Sequence, residues 1–144
     1  MIEDVILTKL KIIDVPGGDV LRGMRKDDIG FAGFAEAYFS EVKEGAVKAW
    51  KRHRNMTLNL IVPIGSVKFV FFERVSDCKK ISGMREVVLS RTNYCRLTVP
   101  PMIWFGFVGL ASGSSILLNL ANIQHSAEEV DRLSVDEVPY KWEP

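Results

Sequence analysis

The chain has 144 residues, 47% of them apolar, with a formal net charge of +1. That length sets an expectation of one domain over residues 1–144, with apolar residues enough for one core. The near-balanced charge gives no argument for nucleic acid or an anionic membrane, neither of which is expected as partner, and no apolar run reaches the roughly 18 residues of a membrane-spanning helix.

Taken in order, the chain reads as short strands between turn signals. Ile6 to Ile13 is an opening strand, and Pro16-Gly17-Gly18-Asp19 is a turn. Val20 to Met24 is a short strand. Phe34 to Glu41 has alanines that suit a helix, but its aromatics and flanking glycines favour a strand. Ala46 to Lys51 and Leu58 to Val62 follow, with a tight turn at Pro63 to Ser66. Val67 to Glu73 is β-branched and aromatic and carries the clearest strand signal. After a polar loop from Arg74 to Gly83 come strands at Met84 to Ser90, Tyr94 to Val99, Trp104 to Leu110 and Ser115 to Ala121.

Ser126 to Leu133 breaks the pattern. Serine at the N-cap, with Glu128 and Glu129 at the second and third helical positions, predicts one short C-terminal helix. The tail from Pro139 to Pro144 reads as irregular chain packed through Tyr140 and Trp142. The sum is an all-β sandwich or jelly roll.

The chemistry concentrates in Val47 to Gly65. His53, one of two histidines, sits among Lys48, Lys51, Arg52 and Arg54, with Trp50 before it and Asn55, Thr57 and Asn59 after it. Like charges disfavour the imidazolium, so a neutral imidazole able to act as a base is expected. The alternative is a strand histidine among solvated charges. Trp50 and Trp104 are candidates to stack on a base or sugar, or else they are core. Cys78 and Cys95 are widely spaced and expected as free thiols. The first ten residues lack the basic flank of a signal peptide, so a cytoplasmic location is expected.

Several segments carry a resemblance. Val47 to His53, V-K-A-W-K-R-H, and Val99 to Leu110, V-P-P-M-I-W-F-G-F-V-G-L, are the specific ones; Phe34-Ala35-Glu36, Leu60 to Gly65, Glu128-Glu129 and Trp142-Glu143-Pro144 add to them. Together they resemble the dTDP-4-dehydrorhamnose 3,5-epimerase family, sugar-nucleotide enzymes on a cupin-type jelly roll (a double-stranded β-helix). The first segment is similar to the family's V-L-R-G-L-H, the second to I-P-x-G-F-A-H-G-F-x-V-L. The family's catalytic histidine falls near Lys51, with His53 close by; a related ketoisomerase branch has H-x-H there. The family's enolate-holding lysine falls near Leu58 or Asn59, its histidine before G-F becomes Phe105, and its acid tyrosines fall near Gln124-His125. Lys51 and Phe105 also take positions of the cupin metal set, so no metal is expected.

The resemblance implies a nucleotide-activated 4-keto-sugar as substrate, with proton abstraction beside the ketone and no cofactor, because the ketone already acidifies that proton. His53 is then the base, Lys51 or Asn59 holds the enolate oxygen, and His125 is the candidate acid. Lys48 matches the family's phosphate-contacting arginine. Glu36 matches a glutamate that reaches the nucleotide from the partner subunit. A homodimer with exchanged N-terminal strands is implied as well. The other class of function left open is a non-catalytic cupin that binds a sugar nucleotide or glycan.

Overall fold

The computed structural model describes residues 1–75 and 79–143; Cys78, and Pro144 of the closing motif, lie outside the described residues. The described strands are β1 (Ile6–Lys9), β2 (Ile12–Ile13), β3 (Val20–Leu21), β4 (Glu36–Lys43), β5 (Val47–His53), β6 (Leu58–Ile64), β7 (Ser66–Arg74), β8 (Ile81–Ser90), β9 (Cys95–Val99), β10 (Trp104–Gly109), β11 (Ser114–Ala121) and β12 (Val130–Arg132). They form two five-stranded sheets, ordered β1-β9-β6-β11-β4 and β12-β5-β10-β7-β8, with β2-β3 as a separate ribbon. The pairings within them are antiparallel. No helix among the described residues is long and apolar enough to cross a membrane.

Strand periodicity places the core. Alternate residues face opposite sides of a sheet. Leu58, Leu60 and Val62 of β6, Leu97 and Val99 of β9, and Leu117 of β11 point inward from the first sheet. Val67, Phe69 and Phe71 of β7, Val87 and Leu89 of β8, and Phe105 and Phe107 of β10 meet them from the second. The second sheet has an apolar outer face too. Trp50, Val70, Phe72 and Trp104 pack there under Val138, Leu133, Tyr140 and Trp142. The tail is tied down when the Lys68 ammonium donates to the Glu143 carbonyl at 2.6 Å. The expected packing of Tyr140 and Trp142 is what the structure has.

The turn between β6 and β7 is one residue, Gly65, at φ +88°. A Cβ there would run into Ser115, whose hydroxyl receives the Ser66 amide at 3.0 Å. Glycine is the residue that meets both demands. On the outer face of the first sheet, Arg96 is fully buried and donates to the carbonyls of Gly23 and Ile29 at 2.8 and 2.9 Å. It pins the loop that leads to β4.

The predicted helix at Ser126 to Leu133 is a correction. Ala127–Glu129 makes one 3-10 turn, and Val130–Arg132 continues as strand β12. The Ser126 side chain makes no capping hydrogen bond; the capping box forms instead at Ser134 and Glu137, on a second 3-10 turn. A helix of about two turns is marginal alone. Here β5 offered a free edge, and β12 pairs with it at Val130↔His53, Asp131↔Arg52 and Arg132↔Lys51. Edge pairing gave the β12 backbone a partner and brought Glu129 to His53 at the end of β5. The opening strand also differs, splitting into β1 and β2, and β1 pairs with β9.

Gly106, between the two aromatic layers, makes a sharp test. A Cβ at this position would lie 2.5 Å from Ala49 Cβ and 3.1 Å from the Trp142 ring. Gly106→Ala should therefore lower stability by about 1–3 kcal/mol, the usual cost of overpacking. Urea denaturation followed by tryptophan fluorescence would check it; an unchanged midpoint would show that β5 and the tail give way freely.

Candidate active site

Lys51 and His53 are alternate residues of β5, so both project from one face, toward the space between the sheets. His53 is only 2% exposed, its ring stacked 6.5 Å from that of Phe105. Its Nδ1 lies 2.7 Å from Glu129 Oε1. The other oxygen, Glu129 Oε2, accepts the backbone N–H of Asn55 at 2.6 Å and of Met56 at 3.2 Å. Burial pushes the Glu129 pKa up, but those amides and His53 outweigh it, so the carboxyl lies below its ordinary value. An ionised carboxylate can only accept, so His53 Nδ1 donates and Nε2 carries the lone pair. Nε2 is buried without a hydrogen-bond partner among the described residues.

The His53 pKa is lowered, as expected, but mainly for another reason. Burial is the largest cause; the Glu129 hydrogen bond opposes it, and Lys51 and His125 add smaller downward pushes. Arg52 and Arg54 turn away. Both grip Asp131, Arg52 at 2.7 Å and Arg54 at 2.6 Å. Lys51 is more strongly perturbed. Burial first, then Arg132 and Lys48, push its pKa down to about 8. No carboxylate among the described residues lies within ion-pair distance of Lys51 or Arg132.

A cavity of about 340 Å³ opens over this face, lined by Glu36, Tyr38, Lys51, His53, His125, Val130 and Arg132. A second, of about 300 Å³, shares Lys51 and Arg132 and adds Lys48 and Ser40. Lys48 is exposed and donates to the Glu41 carbonyl at 3.2 Å. Glu36 Oε1 receives the His125 backbone amide at 2.9 Å, which braces the loop carrying that histidine. The Tyr38 hydroxyl accepts the Asn119 amide at 2.8 Å, which leaves its own proton free to donate. A larger groove of about 550 Å³ lies elsewhere, against Arg96 and Arg22 to Ile29, and holds neither histidine.

The structure thus brings together His53, Lys51, His125, Glu36 and Lys48. It removes three expected residues. Trp50 borders the second cavity but is 1% exposed, with its ring enclosed by Phe72, Tyr140 and Trp142; it has no face for a base. Trp104 stacks on Phe72 at 5.9 Å under the guanidinium of Arg52, so it is core as well. Asn59 lies on the outer face of the first sheet; it donates to the Gly30 carbonyl and accepts the Thr98 hydroxyl. It secures a loop and is remote from the cavity. Sequence reasoning missed Tyr38, Glu129 and Arg132 as site residues. Tyr38 was within reach, two residues beyond Glu36 on the same strand face. Glu129 and Arg132 were concealed by the expected helix.

No family model matches the chain. A curated relative, the probable low-salt glycan biosynthesis epimerase Agl13 of Haloferax volcanii, is 23% identical over 105 residues, or 72% of this chain; the match spans 65% of that protein's length. The solved structure of the sugar 3,4-ketoisomerase QdtA from Thermoanaerobacterium thermosaccharolyticum, in complex with TDP, superposes with a TM-score of 0.75. It is 22% identical over 95% of this chain and 93% of that one, a likeness of fold. The crystal structure of a dTDP sugar isomerase from Desulfovibrio desulfuricans G20 superposes with a TM-score of 0.89 and is 34% identical, over 97% of this chain and 91% of that one. At that identity and coverage, the chain belongs to the family of that dTDP sugar isomerase.

Proposed function

We propose that this chain is an isomerase or epimerase of a nucleotide-activated keto-sugar, acting by proton abstraction beside the ketone on a cupin-type jelly roll. The observation that carries this reading is the buried His53–Glu129 pair, whose free Nε2 belongs to the wall of a cationic cavity. Arg132 stands opposite Lys51 in the β12–β5 register. Like charges placed opposite across strands destabilise a sheet. Their retention without a carboxylate suits an anionic ligand, and a sugar nucleotide brings a diphosphate. In this reading Arg132 and Lys48 take the diphosphate and the sugar enters the His53 cavity.

Nε2 of His53 then removes the proton from the carbon next to the ketone. Glu129 stabilises the imidazolium that forms, and the charge that develops on the carbonyl oxygen falls beside Lys51, where a fixed cation lowers the barrier. Tyr38 and His125 are the groups that can return a proton from the cavity wall. No redox cofactor enters this balance, because the proton lost from one carbon is replaced by another.

The direct test is incubation with a panel of nucleotide 4-keto-sugars in deuterated water. Deuterium should appear at a carbon beside the ketone. Binding without exchange would instead favour a non-catalytic sugar-nucleotide receptor. His53→Asn should reduce exchange by about 10²–10⁴-fold, the usual weight of a general base, in the fraction that stays folded, and should also lower the melting temperature, because Glu129 loses one of its three donors.

The pH dependence follows from the sign of the His53 shift. The base must be neutral, and its pKa is below the ordinary 6.5. The rate should hold as pH falls through 6.5 and drop only at more acid values. Glu129→Gln removes the effect that raises the His53 pKa, so the acid limb should move lower still while the plateau falls. A limb at or above 6.5 in the unmodified protein would contradict the assignment.

We also propose a homodimer. The outer face of the first sheet leaves Phe39 68% and Ile64 60% exposed, and Ile29 and Phe34 of the adjoining loop are 74% and 64% exposed. Such apolar surface marks an interaction face. Sedimentation at micromolar concentration should give twice the chain mass, and Phe39→Asp should shift it toward the monomer; a monomer in both cases would reject the dimer.

A further inference from the structure

The resemblance puts the acid near Gln124-His125, but His125 is an exposed loop residue, braced only through its backbone amide. Tyr38 is placed differently. It stands on β4 directly opposite Asn119 of β11, and Asn119 Nδ2 donates to its hydroxyl at 2.8 Å. Asn119 is only 3% exposed and points the same way as Leu117, two positions before it. It borders a small cavity of about 20 Å³ deep between the sheets, beside Leu58, Leu60 and Tyr38. Its Oδ1 is buried without a hydrogen-bond partner among the described residues. A half-satisfied buried amide costs stability that a leucine in its place would not. Among the described residues, the one hydrogen bond this side chain makes goes to Tyr38. That bond occupies the phenol oxygen as an acceptor, so the O–H proton points away from Asn119.

The His53 cavity has two walls. Glu36 and Tyr38 come from β4 of the first sheet, and Lys51 and His53 from β5 of the second. A planar carbon held between them meets the imidazole on one face and the phenol on the other.

We propose that Tyr38 returns the proton from the wall opposite His53, that Asn119 is its positioning residue, and that the reaction therefore inverts the carbon beside the ketone. This rests on the keto-sugar reading above. His53 Nε2 takes the proton; the C–H pair becomes a C=C bond, and the carbonyl π pair moves to oxygen as an enolate. The enolate pair then restores the C=O bond, and the C=C π pair takes the Tyr38 proton on the opposite face. The O–H pair stays on the tyrosine oxygen as a phenolate, which keeps the hydrogen bond from Asn119 Nδ2. The phenolate takes a proton back from solvent at the cavity mouth and the imidazolium releases one, so no net proton is consumed. A base working alone returns the proton to the face it came from and leaves the configuration unchanged. The second wall is what makes the site an epimerase.

The experiment uses the full chain with the keto-sugar panel, TDP-4-keto-6-deoxyglucose included, in deuterated water. Nuclear magnetic resonance reads two rates in each sample: deuterium entering a carbon beside the ketone, and inversion of that carbon. The unmodified protein should give both. Tyr38→Phe should lose inversion by at least about 10²-fold, the weight of a general acid, while His53 keeps exchanging deuterium on its own face. Asn119→Leu should lower the ratio of inversion to exchange without lowering the melting temperature. Asn119→Asp should lower the ratio too, because a carboxylate only accepts and turns the Tyr38 proton toward itself. Both rates come from the same molecules, so a partly unfolded variant leaves their ratio untouched. Exchange with retained configuration in the unmodified protein would overturn the proposal and leave the keto-sugar reading intact. So would a Tyr38→Phe variant that keeps its inversion, or one that loses exchange and inversion equally. A ratio that falls with His125→Ala and not with Tyr38→Phe would make His125 the donor and overturn it as well. An unchanged ratio in both Asn119 variants would overturn the positioning role. No deuterium with any keto-sugar would remove the keto-sugar reading, and this inference with it.

Discussion

The hydrogen bond between Glu129 and His53 is the contact on which the site depends. A carboxylate that is only 7% exposed carries a large desolvation cost. Three charge-assisted hydrogen bonds offset that cost, one from the imidazole and two from the amides of Asn55 and Met56. All three donors come from the end of β5 and the turn after it. Once they are engaged, the segment after Ser126 must run along β5, and its next residues have strand geometry imposed on them. Arg132 consequently arrives opposite Lys51, and Asp131 arrives where Arg52 and Arg54 can hold it. One buried carboxylate thereby fixes the histidine tautomer, closes the sheet edge and assembles the cationic wall.

The two apolar layers explain why β5 can carry such a site without shifting. Its outer residue Trp50 is set edge-on to Phe72 at 5.1 Å and lies 4.9 Å from Trp142. Its inner residues lie over Phe105 and Phe107. A strand packed on both faces has little freedom, and a proton-transfer site needs positions held to fractions of an ångström. The aromatics that looked like ligand-stacking groups are the rigid backing of the strand. The same packing desolvates His53 and Lys51, so the fold's stability and the site's perturbed pKa values have one source.

Most strands were readable from local sequence, and the reason is physical. Runs such as Val67 to Glu73 are too short and too β-branched for anything else, and glycine and proline punctuate them. Periodicity of two also implied that Lys51 and His53 share a face. The resemblance to sugar-nucleotide epimerases was readable in the same way, because its motifs lie on β5 and at the turn into β10. Ser126 to Leu133 was not readable. Its local pattern was a sound helix start, but a marginal helix loses to a β-edge that pairs its backbone with β5 and buries a carboxylate. Residue 129 meets residue 53 across 76 positions of chain. Nothing in either neighbourhood announces the other.

By itself, then, the sequence determined the β class, the position of most strands, and a histidine with a lowered pKa. Those properties depend on neighbours one to four residues apart. Tertiary structure alone decided that Glu129 holds that histidine, that Arg132 and Tyr38 line the cavity, and that Trp50, Trp104 and Asn59 do not serve it. It also decided that desolvation, more than the adjacent charges, lowers the His53 pKa. Burial and long-range pairing are properties of the packed chain, and no local window of residues contains them.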